Sequence, residues 1–263
     1  MVYLVIGSNG FLGKHLCSYL ELNNNIVKRC DIVNNIYDDA RYIKFNLANI
    51  DRVYFLAWDV GGAKYLGCGD QLEQLLWNND LLSNVFKQLQ DIPFVFISSQ
   101  LSDKCDTVYG VQKKYGEVWT KLTNNGISIR LWNIYGYPEN YGIRSHVVSD
   151  LVKQALDTGE INMLSTGEEE RQFIHIDDAC SALLKAFDIV DRKYIYDITS
   201  FKWIRMLDVA EIIQKYTNCR IVVGKIIGET VKIENRLPVP NWSPIVDFDF
   251  GIKNMIEKFY EKH

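Results

Sequence analysis

The chain has 263 residues, 48% of them hydrophobic and 24% charged, enough for one large domain or a domain with a small lobe. Its formal net charge of −4 excludes the basic excess of a nucleic-acid or anionic-membrane binder. The six cysteines form no CxxC pair and the four histidines no HxxxH spacing, so no metal site is expected. The opening apolar run, residues 1–6, is too short for a signal peptide or a membrane span. These features imply a cytoplasmic protein with reduced thiols and neither a nucleic-acid nor a membrane partner.

Val2 to Ile6 is an apolar, β-branched run that reads as a buried parallel strand. A glycine loop follows, and Lys14 to Leu22 has helical periodicity. Ile26 to Cys30 reads as a second strand, Arg41 to Phe45 as a weaker third and Val53 to Ala57 as a fourth. Asp70 to Gln90 is a long helix by its leucine spacing. Phe94 to Ile97 is the fifth strand, Val108 to Thr123 a helix, and Ile127 to Leu131 the sixth strand. This alternation predicts an α/β protein of the Rossmann type, a doubly wound parallel sheet covered on both faces. Beyond about residue 137 the pattern shortens. Helices are expected over 145–157, 177–190, 207–216 and 250–260, with short strands over 173–176, 194–198 and 221–223. The expected division is a dinucleotide-binding domain over 1–140 and about 168–190, and a small C-terminal α+β substrate lobe over about 141–167 and 191–263.

Gly7, Gly10 and Gly13 form a GxxGxxG loop between a strand and a helix. The first permits a tight turn, the second lets backbone approach a pyrophosphate, and the third allows close helix–strand packing. N–H groups at the helix start attract phosphate. Asp31, 18 residues past Gly13 and at the end of the next strand, is placed to accept from ribose hydroxyls and to repel a 2′-phosphate, which favours NAD over NADP. Arg29 and Arg41 are nearby cations that weigh the other way. The competing reading is an ordinary glycine turn that binds nothing.

Tyr109 and Lys113 stand at i and i+4, one face of one helix. A free phenol titrates near ~10, and a neighbouring cation lowers that value toward a working acid/base. Chance YxxxK matches are expected in a chain with 15 tyrosines. This one follows a strand ending in Ser98 and Ser99, at the carboxyl edge of the predicted sheet, where such folds bind ligands.

At this point the chain resembles the extended short-chain dehydrogenase/reductases, the NAD-dependent epimerase/dehydratase family. The resemblance runs in order through 7–13, 56–57, 96–99, 109–113 with Glu117, 130–136 and 171–179. It implies Ser99, Tyr109 and Lys113 as the catalytic set. It implies a cofactor site formed by Gly7, Asn9, Gly10, Phe11, Leu12, Gly13, Asp31, Asn46, Leu47, Leu56, Ala57, Lys113 and Asn133, with Asn46 where the family has an aspartate. It implies a nucleotide-diphosphate sugar as substrate, with Arg171 at the diphosphate and Ser99, Gln100 and His146 about the sugar. Residues 60–62 and 145–147 further resemble GDP-fucose synthase, in which the histidine matching His146 is an acid/base. A core or surface histidine is the plainer reading of His146. The pattern departs from the family in Leu101, where that enzyme has a cysteine, in the absence of the dehydratases' Asp-Glu pair after Ser99, in Gln172 for an aspartate, and in a short segment between Ser99 and Tyr109. The implied activity is a nucleotide-sugar epimerase or 4-keto reductase using NAD, with NADP as the alternative and dehydration disfavoured. A dinucleotide-binding protein without turnover is the competing function. The resemblance also implies a homodimer through the helices at 70–90 and 108–123. His175 reads as structural and Glu168 to Glu170 as a solvated loop.

Overall fold

The structure is a computed structural model that describes every residue except 63, 64, 67–69, 138–141, 143 and 263; Cys68 therefore lies outside the described residues. The first half alternates as the hydrophobic periods require. Strand β1 (Val2–Ile6) leads through the glycine loop into α1 (Phe11–Leu22), followed by β2 (Ile26–Cys30), β3 (Arg52–Phe55) and α2 (Gln71–Gln88). Then come β4 (Phe94–Ser99), a 3-10 turn (Gln100–Asp103), α3 (Val108–Leu122) and β5 (Gly126–Leu131). Two helix starts are written in the sequence. Asp70 accepts from the N–H groups of Leu72 and Glu73 to begin α2, and Thr107 accepts from Gly110 N–H to begin α3.

The second half supplies β6 (Asn133–Tyr135), α4 (Val147–Thr158), β7 (Glu160–Asn162), β8 (Glu170–His175) and α5 (Ile176–Ala186). It continues with β9 (Ile195–Ile198), β10 (Trp203–Arg205), α6 (Met206–Thr217), β11 (Arg220–Val222), β12 (Leu237–Pro238) and α7 (Phe248–Lys262). The main sheet is seven-stranded and all parallel in the order β12-β9-β5-β4-β3-β1-β2. A three-stranded sheet, β10-β8-β6, and a parallel pair, β11-β7, build the smaller lobe. Strands β9 and β12 thus belong to the main sheet although they come from the stretch assigned by sequence to the lobe. One apolar cluster, including Leu16, Leu20, Ile127, Ile129 and Leu183, lies under α1 and α5. A second, including Phe55, Phe86, Phe94 and Phe96, lies under α2. A third fills the lobe around Val152, Phe173, Ile213 and Ile252. Among the described residues no helix is long and apolar enough to cross a membrane.

The strand expected over 41–45 does not form. Its backbone groups are taken by side chains of α2. Asn84 donates to the carbonyls of Ala40 and Ile43, and Gln88 donates to Ile43 and accepts from Phe45 N–H at 2.9 Å. With those groups satisfied from the helix, no pairing on the outer edge of β2 is required. The acidic run is not a solvated loop either, since β8 begins at Glu170 and one Glu169 oxygen is buried.

Candidate active site

At the carboxyl ends of β1, β3 and β4 a cleft of about 590 Å³ opens. The glycine loop forms one wall. Gly7 has φ +90, and a Cβ there would lie 2.4 Å from the Ala57 nitrogen; a Cβ at Gly13 would lie 2.1 Å from the Gly7 carbonyl oxygen. Both glycines are therefore fixed by close backbone packing. A Cβ at Gly10 would meet only the Gly7 carbonyl oxygen, at 3.6 Å. Gly10 caps α1 with no side-chain acceptor and no acidic residue in the first turn, leaving N–H groups and the positive end of the helix for an anion. The cradle fits a dinucleotide's pyrophosphate.

Asp31 reaches the cleft from the end of β2. Its Oδ2 accepts from Asn9 N–H at 2.8 Å and its Oδ1 from Val33 N–H at 3.0 Å, so the carboxylate also pins the loop. Asp38 and Asp39 line the same end. The two cations weighed against Asp31 are paired. Arg29 is bidentate to Glu21, and Arg41 is bound to Asp39 with its guanidinium 3.3 Å from the Trp77 ring centre.

The floor carries Tyr109 and Lys113 on α3, both lining the cleft. The Lys113 ammonium donates to the Ile97 carbonyl at 2.8 Å and sits 3.7 Å above the Trp58 ring and 5.7 Å from the Tyr109 ring. Burial drives its pKa well below the ordinary lysine value, against the pull of the Glu117 carboxylate. The Tyr109 phenol is pushed up to about 12 by burial, and a hydrogen bond from Ser99 works the other way. A phenol lowered by the adjacent lysine was the sequence expectation; in this cleft desolvation outweighs that effect. The single Ser99 hydroxyl proton goes to the Gln100 side chain or, turned the other way, to the phenol, and the oxygen accepts from Leu101 N–H, which turns the chain into the 3-10 segment. Glu117 is buried and accepts from both Ser98 and Ser102.

Beneath this floor lies a buried charged network. Arg130 on β5 is bidentate to Asp197 on β9, at 2.7 and 3.0 Å, and pairs with Asp103 of the short turn. Arg236 donates to Asp103 at 2.7 Å, Lys114 lies 3.4 Å from it, and Asn235 and the Arg236 N–H donate to Asp197. Burial alone would raise Asp103, but the guanidiniums of Arg130 and Arg236 hold it below the ordinary carboxylate range.

A second cavity of about 350 Å³ adjoins the cleft through Ile134 and His146, which line both. Arg171 and Asn133 face it, and Asn133 donates to the Gln172 carbonyl at 2.8 Å. Arg171 spends hydrogen bonds on the carbonyls of Glu170 and Glu229. Gln154, Asn162, Met163 and Glu169 complete a lining that sequence reading missed.

The glycine loop, Asp31, Leu56, Ala57, Tyr109 and Lys113 thus come together in one cleft, and Asn133, His146 and Arg171 in the next. Ser99 and Gln100 sit beside Tyr109 without lining either cavity. Asn46 is exposed and turned to Ala48 N–H, and Leu47 packs against the core, so neither is part of the cleft. Trp58 was missed as a cleft residue; its indole N–H is buried with no partner. Among the described residues no group of histidines, cysteines and carboxylates could hold a metal ion.

Residues 83–198 match the model of the NAD dependent epimerase/dehydratase family. An uncharacterized protein of Methanocaldococcus jannaschii, MJ1055, is 24% identical over an alignment covering 98% of this chain and 96% of that one. The fold is shared with TunA, an NAD-dependent NDP-hexosamine 5,6-dehydratase of tunicamycin biosynthesis, at a TM-score of 0.83 and 18% identity over 100% of this chain and 98% of that chain. It is shared too with UDP-glucose 4-epimerase of Thermotoga maritima, at a TM-score of 0.80 and 19% identity over 100% and 99% of the two chains. Residues 83–198 thus carry the pattern of the NAD dependent epimerase/dehydratase family, in a chain whose whole fold is shared with these two structures.

Proposed function

We propose that the protein is an NAD-dependent enzyme acting on a nucleotide-diphosphate sugar, as a 4-epimerase or 4-keto reductase, with Tyr109 as the acid/base. The carrying observation is that Tyr109 and Lys113 open onto the same cleft as the glycine loop. Bound NAD supplies the acceptor and donor of hydride. The chain supplies the rest. The N-terminus of α1 holds the pyrophosphate, and Asp31 is turned to the ribose end. Asp31 and Asp38 together disfavour a 2′-phosphate.

Tyr109 accepts the proton of a sugar hydroxyl as the carbon is oxidised, or returns it to a ketone in reduction. The protonated form of Lys113, which the Trp58 face favours against the effect of burial, stabilises the phenolate, and Ser99, when turned from Gln100, donates to the same oxygen. In this reading His146, which lines both cavities, meets the sugar, and Arg171, which lines the second, meets the diphosphate. The exposed seam Val111, Tyr115, Val118 and Leu122 on α3, with Leu72 and Leu76 on α2, fits a homodimer built helix against helix. The soluble, cytoplasmic setting expected from sequence goes with this reading.

The test is extraction of purified protein with denaturant and mass spectrometry of what is released. Recovered NAD⁺ near one per chain supports an epimerase that retains its cofactor. An empty chain that binds NADH on titration supports the exchanging reductase. Loss of turnover in Tyr109→Phe with cofactor binding intact separates an enzyme from a dinucleotide-binding protein without turnover, for which the substitution changes nothing.

A further inference from the structure

Lys113 is buried, and its one hydrogen bond among the described residues goes to the Ile97 carbonyl at 2.8 Å. Rings surround the rest of the ammonium. Its nitrogen lies 3.7 Å from the Trp58 ring centre, 5.3 Å from that of Phe96 and 5.7 Å from that of Tyr109. Trp58 follows the end of β3, and its ring is held against Phe55 and Phe96, at 6.4 and 5.8 Å between centres. The carboxylate acting on the ammonium is Glu117, one turn on along α3. A cation taken out of water keeps its proton only where something replaces its hydration. Among aromatic side chains a tryptophan face does this best.

We propose that Trp58 is a positioning residue that holds Lys113 as an ammonium, and that through it the cleft favours the reduced over the oxidised form of the bound nicotinamide cofactor. This rests on the reading above, with Tyr109 as the acid/base. Tyr109 must reach the sugar carbon that exchanges hydride, and that carbon must lie against the nicotinamide ring. Lys113, one helical turn from Tyr109 in the same cleft, is then a fixed charge beside that ring. The oxidised ring is itself a cation and the reduced ring is neutral. A charged Lys113 therefore repels NAD⁺ and spares NADH, whereas a lysine that has given up its proton treats the two alike. The repulsion needs no contact with the ring, because a buried charge is poorly screened.

The test is calorimetric titration of the full chain, stripped of any retained cofactor, with NAD⁺ and with NADH at pH 7. The quantity read is the dissociation constant of NAD⁺ divided by that of NADH. Lost packing weakens both forms together and cancels in this ratio, and a lost charge does not. Lys113→Met is expected to lower the ratio by at least about fivefold. Trp58→Leu is expected to lower it nearly as far. Trp58→Phe, with a weaker face for a cation, should fall between Trp58→Leu and wild type. A ratio that Lys113→Met leaves unchanged overturns the inference. So does one that Lys113→Met lowers and the Trp58 variants do not, and the cofactor reading then stands. Trp58→Phe set against wild type and Lys113→Met decides the matter even if Trp58→Leu does not fold. A wild-type chain that binds neither form overturns the cofactor reading of the cleft, and the inference with it.

Discussion

Replacing Arg130 by methionine removes the cation from the network under the active-site floor. Arg130 and Asp197 are both fully buried, and their contact is bidentate at 2.7 and 3.0 Å. The variant leaves Asp197 as a buried carboxylate with only the Asn235 amide at 3.3 Å and the Arg236 N–H at 2.9 Å. Breaking a buried pair from one side costs about 3–5 kcal/mol. At this chain length 1 kcal/mol moves Tm by roughly 2 °C, so Tm at pH 7 is expected to fall by about 6–10 °C. One control isolates the charge. The double variant Arg130→Met, Asp197→Leu recovers most of the loss, because no orphaned charge remains. Thermal unfolding followed by circular dichroism at pH 7 reads both. A single variant within about 2 °C of wild type, or a double variant no better than the single, refutes the reasoning.

Gly13→Ala places a Cβ where the Gly7 carbonyl oxygen stands 2.1 Å away, so NAD binding by calorimetry should weaken by at least about tenfold as the loop is displaced. The phenol of Tyr109, raised to about 12 by burial, is protonated at neutral pH before cofactor binds. The rate of the oxidative half-reaction should climb with pH across the accessible range, and a flat profile would remove Tyr109 as the base. Asp103, held below its ordinary range by Arg130 and Arg236 against burial, contributes stability that is full above the unfolded carboxylate pKa of about 3.9. That contribution is lost as pH falls through the lower folded value, and an acid-unfolding titration of Arg236→Met should show it fading at higher pH. Val118→Asp, in the exposed seam of α3, should leave the fold intact and give a monomer by light scattering; a wild-type chain already monomeric at micromolar concentration would dispose of the dimer.

Much of the fold is legible in the sequence because it is local. The apolar run 2–6, the three spaced glycines and the i, i+4 tyrosine and lysine each announce their own element. What was missed depends on partners far away in the chain. The stretch 41–45 has a strand's composition, yet side chains more than forty residues on claim its backbone. Nothing near Arg130 points to Asp197, 67 residues later. Glu169 looks like one of three solvated glutamates until Ser165 and Gly228 are seen around it. The tyrosine–lysine spacing is read correctly as geometry, but the depth of burial that sets the phenol's acidity is a property of the assembled cleft.

The two margins of the main sheet carry a further consequence. One ends in β12, only two residues long and closed by Pro238, which has no N–H to offer. The other ends in β2, a five-residue strand that carries the exposed Lys28 beside the Arg29–Glu21 pair. A wide parallel sheet exposes an unpaired ladder at each side, ready to recruit a strand from another molecule. Here one side is too brief and lacks a donor, and the other sets positive charge against any second copy of itself. Both margins thus disfavour edge-to-edge aggregation of the sheet.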